Sequence, residues 1–354
     1  MTPLHENSLD RYARQMRYGP IGEDGQRKLL ASRALICGCG ALGSVLANTL
    51  ARAGVGKLRI VDRDFVELNN LQRQVLYDEA DVAAALPKAV AAAEKLRQIN
   101  SEIEIEPIVA DVHAGNMLSL CEGCDILLDG TDNFETRFLL NEAAVKSNKP
   151  WVYGGCIGAE GQSLTVLPGE PPCFCCVMSE PPPPGSSPTC DTAGILGSIV
   201  NLVASIQACE AIKILTGNIA AVSRTLTVID LWENQWRQLN LDQLRSAGGC
   251  STCRDKQFPW LSGKRGSSSA VLCGRNSVQV NPSDASSSEN SSAVSLDALA
   301  EKLAVVGTVS RNKFLLRCAI GNYLITVFPD GRAIIGGTSD VAEARSLYAK
   351  YIGA

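Results

Sequence analysis

Residues 33–64 constrain the fold more than any other stretch of this chain. A short apolar run, Ala34 to Cys37, leads directly into Gly38, Gly40 and Gly43 at G-x-G-x-x-G spacing, with Ala41 among them. Leu42 to Ala53 suits a helix that Gly54 and Gly56 end, and Leu58 to Val61 is a second apolar run delivering Asp62, 24 residues beyond Gly38. Strand, glycine turn, helix, strand and acid in that order make a nucleotide-binding βαβ unit. The glycines let backbone approach phosphate, the helix N-terminus aims amides at negative charge, and the carboxylate holds a ribose hydroxyl. NAD and ATP are both served by such a unit, so the fingerprint alone leaves the nucleotide open.

The residues after Asp62 favour a triphosphate. Arg73 follows closely on the acidic strand end, and Lys88 opens the next helix from a Leu-Pro-Lys step. The apolar run Ile126 to Leu128 carries Asp129-Gly130-Thr131-Asp132-Asn133 to another strand's carboxyl end, the edge where open α/β sheets bind ligands. Two cations and a spare carboxylate form a phosphate and magnesium site. A nicotinamide-dependent oxidoreductase would need a hydride-transfer site that the chain does not show. A non-catalytic nucleotide-binding scaffold would have no use for Arg73, Lys88 and Asp132 together.

Continuing the pattern predicts an alanine-rich helix from Lys88 to Ile99, a strand at Ile103 to Val109 beside the first, a helix from Glu135 to Lys146 and a strand at Trp151 to Tyr153. This is a Rossmann-like, doubly wound α/β core with a mainly parallel sheet. From Gly154 the character changes. Gly161 to Val166 and Leu226 to Asp230 read as an antiparallel extension, separated by one long helix from Ala193 to Leu215 that Thr216-Gly217 stops. Asn201, Gln207, Glu210 and Lys213 interrupt that helix every few residues, which favours a buried helix over a membrane span. Near the N-terminus, Arg11, Arg14 and Arg17 recur every three residues, as on one face of a short helix.

Cys173, Cys176, Cys250 and Cys253 form two C-x-x-C pairs in Pro/Gly-containing loops. Four soft thiolates without an open coordination position suit a structural zinc ion. A redox motif is the rival, though it occurs once per site and at a helix N-terminus; Cys175 ranks below its neighbours as a ligand. Cys190 ends the proline-rich run 179–190, a surface tether that places its thiol just before a helix.

These stretches together are similar to the MoeB/ThiF family of the ubiquitin-activating superfamily. The resemblance is carried by Arg11 to Gln15, Gly38 to Gly43, Asp62 to Asp64, Asn69-Asn70-Leu71-Gln72-Arg73, Pro87-Lys88, Asp129 to Asn133, Glu160-Gly161-Gln162, both cysteine pairs and Thr189-Cys190, in order over roughly the first 255 residues. It implies ATP-dependent adenylation of the C-terminal glycine of a small ubiquitin-like sulfur-carrier protein ending in Gly-Gly, with a cysteine desulfurase or rhodanese as sulfur donor. It further implies that Asp62 binds ribose, that Asn70 and Arg73 contact phosphates, that Lys88 contacts the triphosphate and that Asp132 holds magnesium. Arg14 would reach in from the partner subunit of a homodimer, and Cys190 would be the family's mobile cysteine. Ala41 stands where many relatives have glycine, a position that contributes a backbone amide.

Composition is consistent with this. The 354 residues are 45% hydrophobic and 20% charged, with net charge −4, which gives no reason to expect nucleic acid. Residues 1–7 lack a basic segment followed by an apolar core, so a cytoplasmic location is expected and the fourteen cysteines read as ligands, reactive thiols or core residues. The organisation predicted is an adenylation domain at 1–261, a partly Ser-rich linker at 262–295 with a strand at 271–280, and a small α+β module at 296–354. In that module a helix at 296–303, strands at 308–309, 314–319 and 323–327, and a last helix at 342–351 are expected, with turns at Gly321-Asn322 and Pro329-Asp330-Gly331.

Overall fold

The computed structural model describes residues 6–182, 190–246, 248–265, 269–272, 276–280 and 294–353. They divide into two compact units, residues 1–187 with 194–265, and residues 188–193 with 266–354.

The first unit alternates helices and strands from α1 (Gly22–Ala31) through β1 (Arg33–Cys37), α2 (Ala41–Ala53), β2 (Lys57–Asp62), α3 (Lys88–Ile99), β3 (Glu104–Val109), β4 (Ile126–Asp129), α4 (Phe134–Lys146) and β5 (Trp151–Ile157). It continues with β6 (Glu160–Val166), α5 (Gly197–Thr216), β7 (Thr225–Asp230) and β8 (Gln235–Asn240). One sheet holds all eight strands in the order β3-β2-β1-β4-β5-β6-β7-β8, parallel as far as β5 and antiparallel beyond it. Two-residue periodicity sorts the central strands between two apolar layers. Ala34, Ile36, Leu58 and Ile60 join α2, α3 and α5 on one face. Leu35, Cys37, Val61 and Leu127 join α4 and a cluster of Trp151, Tyr153, Phe174 and Trp260 on the other. Strands buried on both faces explain why β1 and β4 read as unbroken apolar runs.

Several expectations need correction. β3 lies beside β2 and not beside β1, because β4 takes the other flank of β1 in register Ala34 to Ile126 through Cys37 to Asp129. The long helix expected from Ala193 is broken: one turn at Cys190–Ala193 is followed by Gly194 in the left-handed region, φ 73°, and Ile195 pairs with Gly158 before α5 begins. β5 runs on to Ile157, and β8 was not foreseen, because its six residues are all exposed and carry no apolar alternation. The N-terminal arginines do not share one helix. Arg11 lies in a 3-10 segment at Glu6–Tyr12 and Arg14 in the single turn Ala13–Met16, although all three arginines are exposed. Among the described residues α5 is the one helix long and apolar enough to cross a membrane, and half of that stretch is buried in the unit.

The second unit is a six-stranded antiparallel sheet. Its strands are β9 (Ser269–Leu272), β10 (Ser277–Val280), β11 (Thr308–Arg311), β12 (Leu316–Ile320), β13 (Tyr323–Val327) and β14 (Ala333–Gly336), ordered β11-β12-β13-β14-β10-β9. Helices α6 (Leu296–Leu303) and α7 (Val341–Tyr351) pack on one face around Val278, Leu316, Ile325 and Ile335. The stretch 271–280, expected as a single strand, belongs to the hairpin β9–β10. β14, which completes the hairpin made by β13 and the Pro329-Asp330-Gly331 turn, was not among the strands expected. Of the linker expected at 262–295, residues 266–268, 273–275 and 281–293 lie outside the described residues, as do residues 183–189 of the proline-rich run.

Candidate nucleotide site and cysteine cluster

The glycine turn is built by mutual close approach. Gly38 has φ 83°, and a Cβ there would lie 2.7 Å from the Gly130 carbonyl oxygen; a Cβ on Gly43 would lie 1.9 Å from the Gly38 oxygen. No larger residue fits either position without moving backbone. α2 starts from Gly40 with no side chain capping it, so its first amides are available to an anion. The turn is held from below by Asp62, whose Oδ2 accepts the Cys39 amide at 2.6 Å while Oδ1 accepts the Asp64 amide at 2.7 Å. Burial pushes the Asp62 carboxyl above its ordinary pKa, opposed by the nearby Lys88 charge and reinforced by that of Asp64. The Tyr77 hydroxyl ties the two segments together, donating to the Cys39 oxygen at 2.6 Å and the Lys88 oxygen at 3.2 Å.

Lys88 is the first residue of α3, buried, with Nζ 3.2 Å from Asp64 Oδ2. Its amide also donates to the Asp64 oxygen at 2.8 Å, part of a short pairing in which Phe65 bridges Pro87. The helix therefore starts where β2 ends. Asn69 and Asn70 lie in a 3-10 turn at Leu68–Asn70; buried Asn70 accepts the Glu67 amide at 3.1 Å and donates to Asn69 Oδ1 at 2.8 Å. Leu71 and Gln72 continue that turn, and Arg73 folds back on it, donating to the Asn69 carbonyl at 2.9 Å.

Asp132 is exposed just past the end of β4. Its loop is fixed by two residues that motif spacing did not single out. Fully buried Asp129 accepts the Thr131 amide at 2.8 Å and hydroxyl at 2.6 Å through Oδ1, and Arg137 lies 3.4 Å from its other oxygen and donates to the Thr131 carbonyl at 2.9 Å. Gln207 of α5 reaches through to the Asp129 and Val152 carbonyls at 2.9 and 3.1 Å. A buried acid at the end of a strand, eight residues ahead of an arginine in the following helix, was the available signal. Asn133 caps α4, accepting the Thr136 amide at 2.8 Å.

Arg63 stands among the carboxylates. Burial works against its charge, but Asp111 foremost, then Asp64, Asp132 and Asp62, hold its pKa above the usual arginine range. Gly38, Asp62, Asp64, Lys88 and Asp132 are thus gathered at the carboxyl ends of β1, β2 and β4. Arg14 is not with them. Its turn is anchored at the far end of α2, where Gln15 donates to the Ala53 carbonyl at 2.9 Å and Tyr12 packs on Gly54.

The sulfur atoms of Cys173, Cys176, Cys250 and Cys253 all lie within 4.8 Å of one another, with Cys173 to Cys250 at 3.7 Å and Cys176 to Cys253 at 3.5 Å. The first pair straddles one helical turn, Phe174–Val177, and not an open loop. Neighbouring thiols, Cys175 first, and Asn141 donate toward Cys173 and hold it well below the ordinary thiol range. Cys175 is outside the cluster, accepting from Asn141 at 3.2 Å and Thr252 at 3.4 Å. Four convergent sulfurs with a buried donor behind them fit a tetrahedral thiolate-binding metal. A third C-x-x-C pair, Cys121 and Cys124, is buried in the core, where burial raises both thiols, Cys121 to about 12, which disfavours the thiolate. Cys190 begins the one-turn helix, and its thiol lies outside the described residues.

A doubly wound sheet with a glycine turn, a buried lysine and an exposed carboxylate along one edge, beside a four-cysteine cluster, defines a nucleotide-binding α/β protein with a cysteine-clamped subdomain. The chain belongs to the ThiF family, whose profile matches residues 12–252. It is 44% identical over 344 residues to the sulfur carrier protein ThiS adenylyltransferase of Bacillus subtilis, covering 97% of this chain and 99% of that one. It is 36% identical over 256 residues to the sulfur carrier protein adenylyltransferase of Thermus thermophilus, 71% of this chain and 93% of the other. Among solved structures, Escherichia coli MccB shares the fold at a TM-score of 0.60 and 23% identity, over 71% of this chain and 74% of MccB.

Proposed function

We propose that this chain adenylates the C-terminal carboxylate of a small ubiquitin-like sulfur-carrier protein, and that the carrier is of the ThiS type. The observation that carries the reading is the gathering of Lys88, Asp62 and Asp132 at the strand ends beside a glycine turn whose helix no side chain caps. The full-length similarity to the ThiS adenylyltransferase of Bacillus subtilis, which extends through the C-terminal unit, supports the choice of carrier. A cytoplasmic location and a separate sulfur donor accompany that reading.

The carboxylate of the carrier attacks the α-phosphorus of ATP; a carboxylate oxygen-to-phosphorus bond forms and the bond to pyrophosphate breaks. No general base is required, since a terminal carboxylate is ionised at neutral pH, and the only histidines are His5 and His113. The enzyme's contribution is alignment and charge neutralisation. The amides opening α2 face phosphate, Asp62 holds the ribose, and Lys88 exchanges Asp64 for the phosphates. Arg73 adds a second cation. Asp132 would hold magnesium, which supplies charge neutralisation on the phosphates; one protein carboxylate completed by phosphate oxygens is an ordinary magnesium site. The cysteine cluster would hold zinc structurally. The exposed edge strand β8, with Trp236 58% and Leu239 47% exposed and Trp232 just ahead of it, offers backbone and apolar surface to a partner protein. Cys190 acts after adenylation: its thiolate attacks the carbonyl carbon of the acyl adenylate, a thioester bond forms and the bond to AMP breaks, releasing AMP.

The test is exchange of labelled pyrophosphate into ATP. Exchange should require magnesium and a carrier ending in Gly-Gly, vanish in Asp132→Ala, and persist in Cys190→Ser, which should be impaired only in carrier thiocarboxylate formation. Binding of NAD with none of ATP would refute the reading.

A further inference from the structure

The elements along the sheet edge fall in a linear order that matches the length of a nucleoside triphosphate. Asp132 follows β4, the glycine turn follows β1, Asp62 ends β2 and Asp111 follows β3, and these strands are neighbours in the order β4, β1, β2, β3. At about 4.8 Å per strand, three steps span roughly 14 Å. With magnesium at Asp132, phosphates over the glycine turn and ribose at Asp62, the base falls over the ends of β2 and β3.

Two residues with no assigned role meet there. Arg63 follows β2, Asp111 follows β3, and Arg63 Nη1 lies 3.1 Å from Asp111 Oδ1, with side chains 24% and 23% exposed. They are accessible to a ligand yet mostly withdrawn from water. The turn carrying Asp111 is braced: Asn116 Nδ2 donates to the Asp111 carbonyl at 2.7 Å, Asn116 Oδ1 accepts the His113 amide at 2.9 Å, and His113 Nδ1 accepts the Gly115 amide at 3.1 Å. Ala110 and Val112, on either side, pack against the core and add apolar surface. A planar guanidinium locked by a carboxylate provides a face for an aromatic ring. An ionised carboxylate only accepts hydrogen bonds.

We propose that the Arg63–Asp111 pair reads the base of the nucleotide, with Asp111 accepting from the exocyclic 6-amino group of a purine and Arg63 lying against the ring. This rests on the adenylation reading and adds base selectivity to it. Guanine places a 6-oxo acceptor where adenine has a donor, so it would set oxygen against the Asp111 carboxylate. A purine without a 6-substituent would leave that acceptor unanswered.

The experiment is calorimetric binding to the full chain of the magnesium complexes of ATP, GTP, purine riboside triphosphate and inorganic tripolyphosphate. The wild-type protein should bind ATP at least tenfold more tightly than GTP or the purine analogue. Asp111→Asn, whose amide can donate to a 6-oxo group, should erase or reverse the preference for ATP over GTP while leaving tripolyphosphate affinity unchanged. Arg63→Met should weaken all three nucleotides and not tripolyphosphate. An ATP-to-GTP ratio within twofold of wild type in Asp111→Asn overturns the proposal, as does equal binding of ATP and the purine analogue by the wild type. The latter comparison decides the matter alone if the variants do not fold. Equal binding of ATP and tripolyphosphate overturns base reading but leaves the phosphate site standing; binding of none of the four overturns both.

Discussion

Lys88, which we propose as a phosphate ligand, already has a structural partner in Asp64. Its Nζ is buried against Asp64 at 3.2 Å, and removing one member of a buried pair leaves the other charge uncompensated, at a cost of about 3–5 kcal/mol. Loss of activity in Lys88→Met would therefore be ambiguous by itself. The double substitution Lys88→Met with Asp64→Asn removes both charges and should recover most of the stability, measured by chemical denaturation, while pyrophosphate exchange stays at least a hundredfold below wild type. Recovery of exchange in the double variant would exclude Lys88 as a phosphate ligand. At this scale the sequence showed the residues that we propose to meet substrate and hid those that hold them in place. Asp62, Lys88 and Asp132 stand in recognisable spacing, but Asp129, Arg137 and Gln207 converge from β4, α4 and α5, and nothing local in the chain marks a buried contact 78 residues apart.

The cysteine cluster is an element-scale device, joining the turn at Phe174–Val177 to the loop at 250–253 across 77 residues. The segments it clamps carry little regular structure, and Phe174 and Trp260 nearby pack on Phe138 of α4. Metal binding in such a setting is folding free energy for the clamped part. Purified protein should hold close to one equivalent of zinc; Cys250→Ser should fall below half an equivalent and lower the melting temperature by several degrees, with ATP affinity changed less than threefold. An unchanged melting temperature would mean that the cluster is not structural. Elements were legible where periodicity or a stop signal marks them. α3 matches its expected span, and Gly217 ends α5 in the left-handed conformation at φ 86°. The break at Gly194 was hidden because apolar residues continue through it, and the break is made by the pairing of Ile195 with Gly158 from a distant hairpin. β8 was hidden because an edge strand exposed on both faces needs no alternation.

At the scale of the whole molecule, the position of Arg14 bears on assembly. Its turn is pinned at the C-terminal end of α2 by Tyr12, whose hydroxyl accepts from Asn100 at 2.8 Å and which is 2% exposed, and by Gln15 on Ala53. α2 has 13 residues, so its two ends are about 18 Å apart, and the glycine turn lies at the other end. An arginine side chain extends only about 7 Å, the length of some two extended residues. Arg14 therefore cannot reach the phosphates of its own subunit without unfolding the turn that carries it, whereas a second copy of the chain could present the exposed guanidinium to them. We propose that the chain acts as a homodimer, in which the Arg14→Ala and Asp132→Ala forms should each be inactive in pyrophosphate exchange. After subunit exchange, a heterodimer of the two has one site with both defects and one with neither, so mixing should restore up to a quarter of wild-type activity, as random reassortment makes half the dimers mixed and half of their sites intact. Subunits shown to exchange by mass spectrometry but without regained activity would place Arg14 outside the reaction.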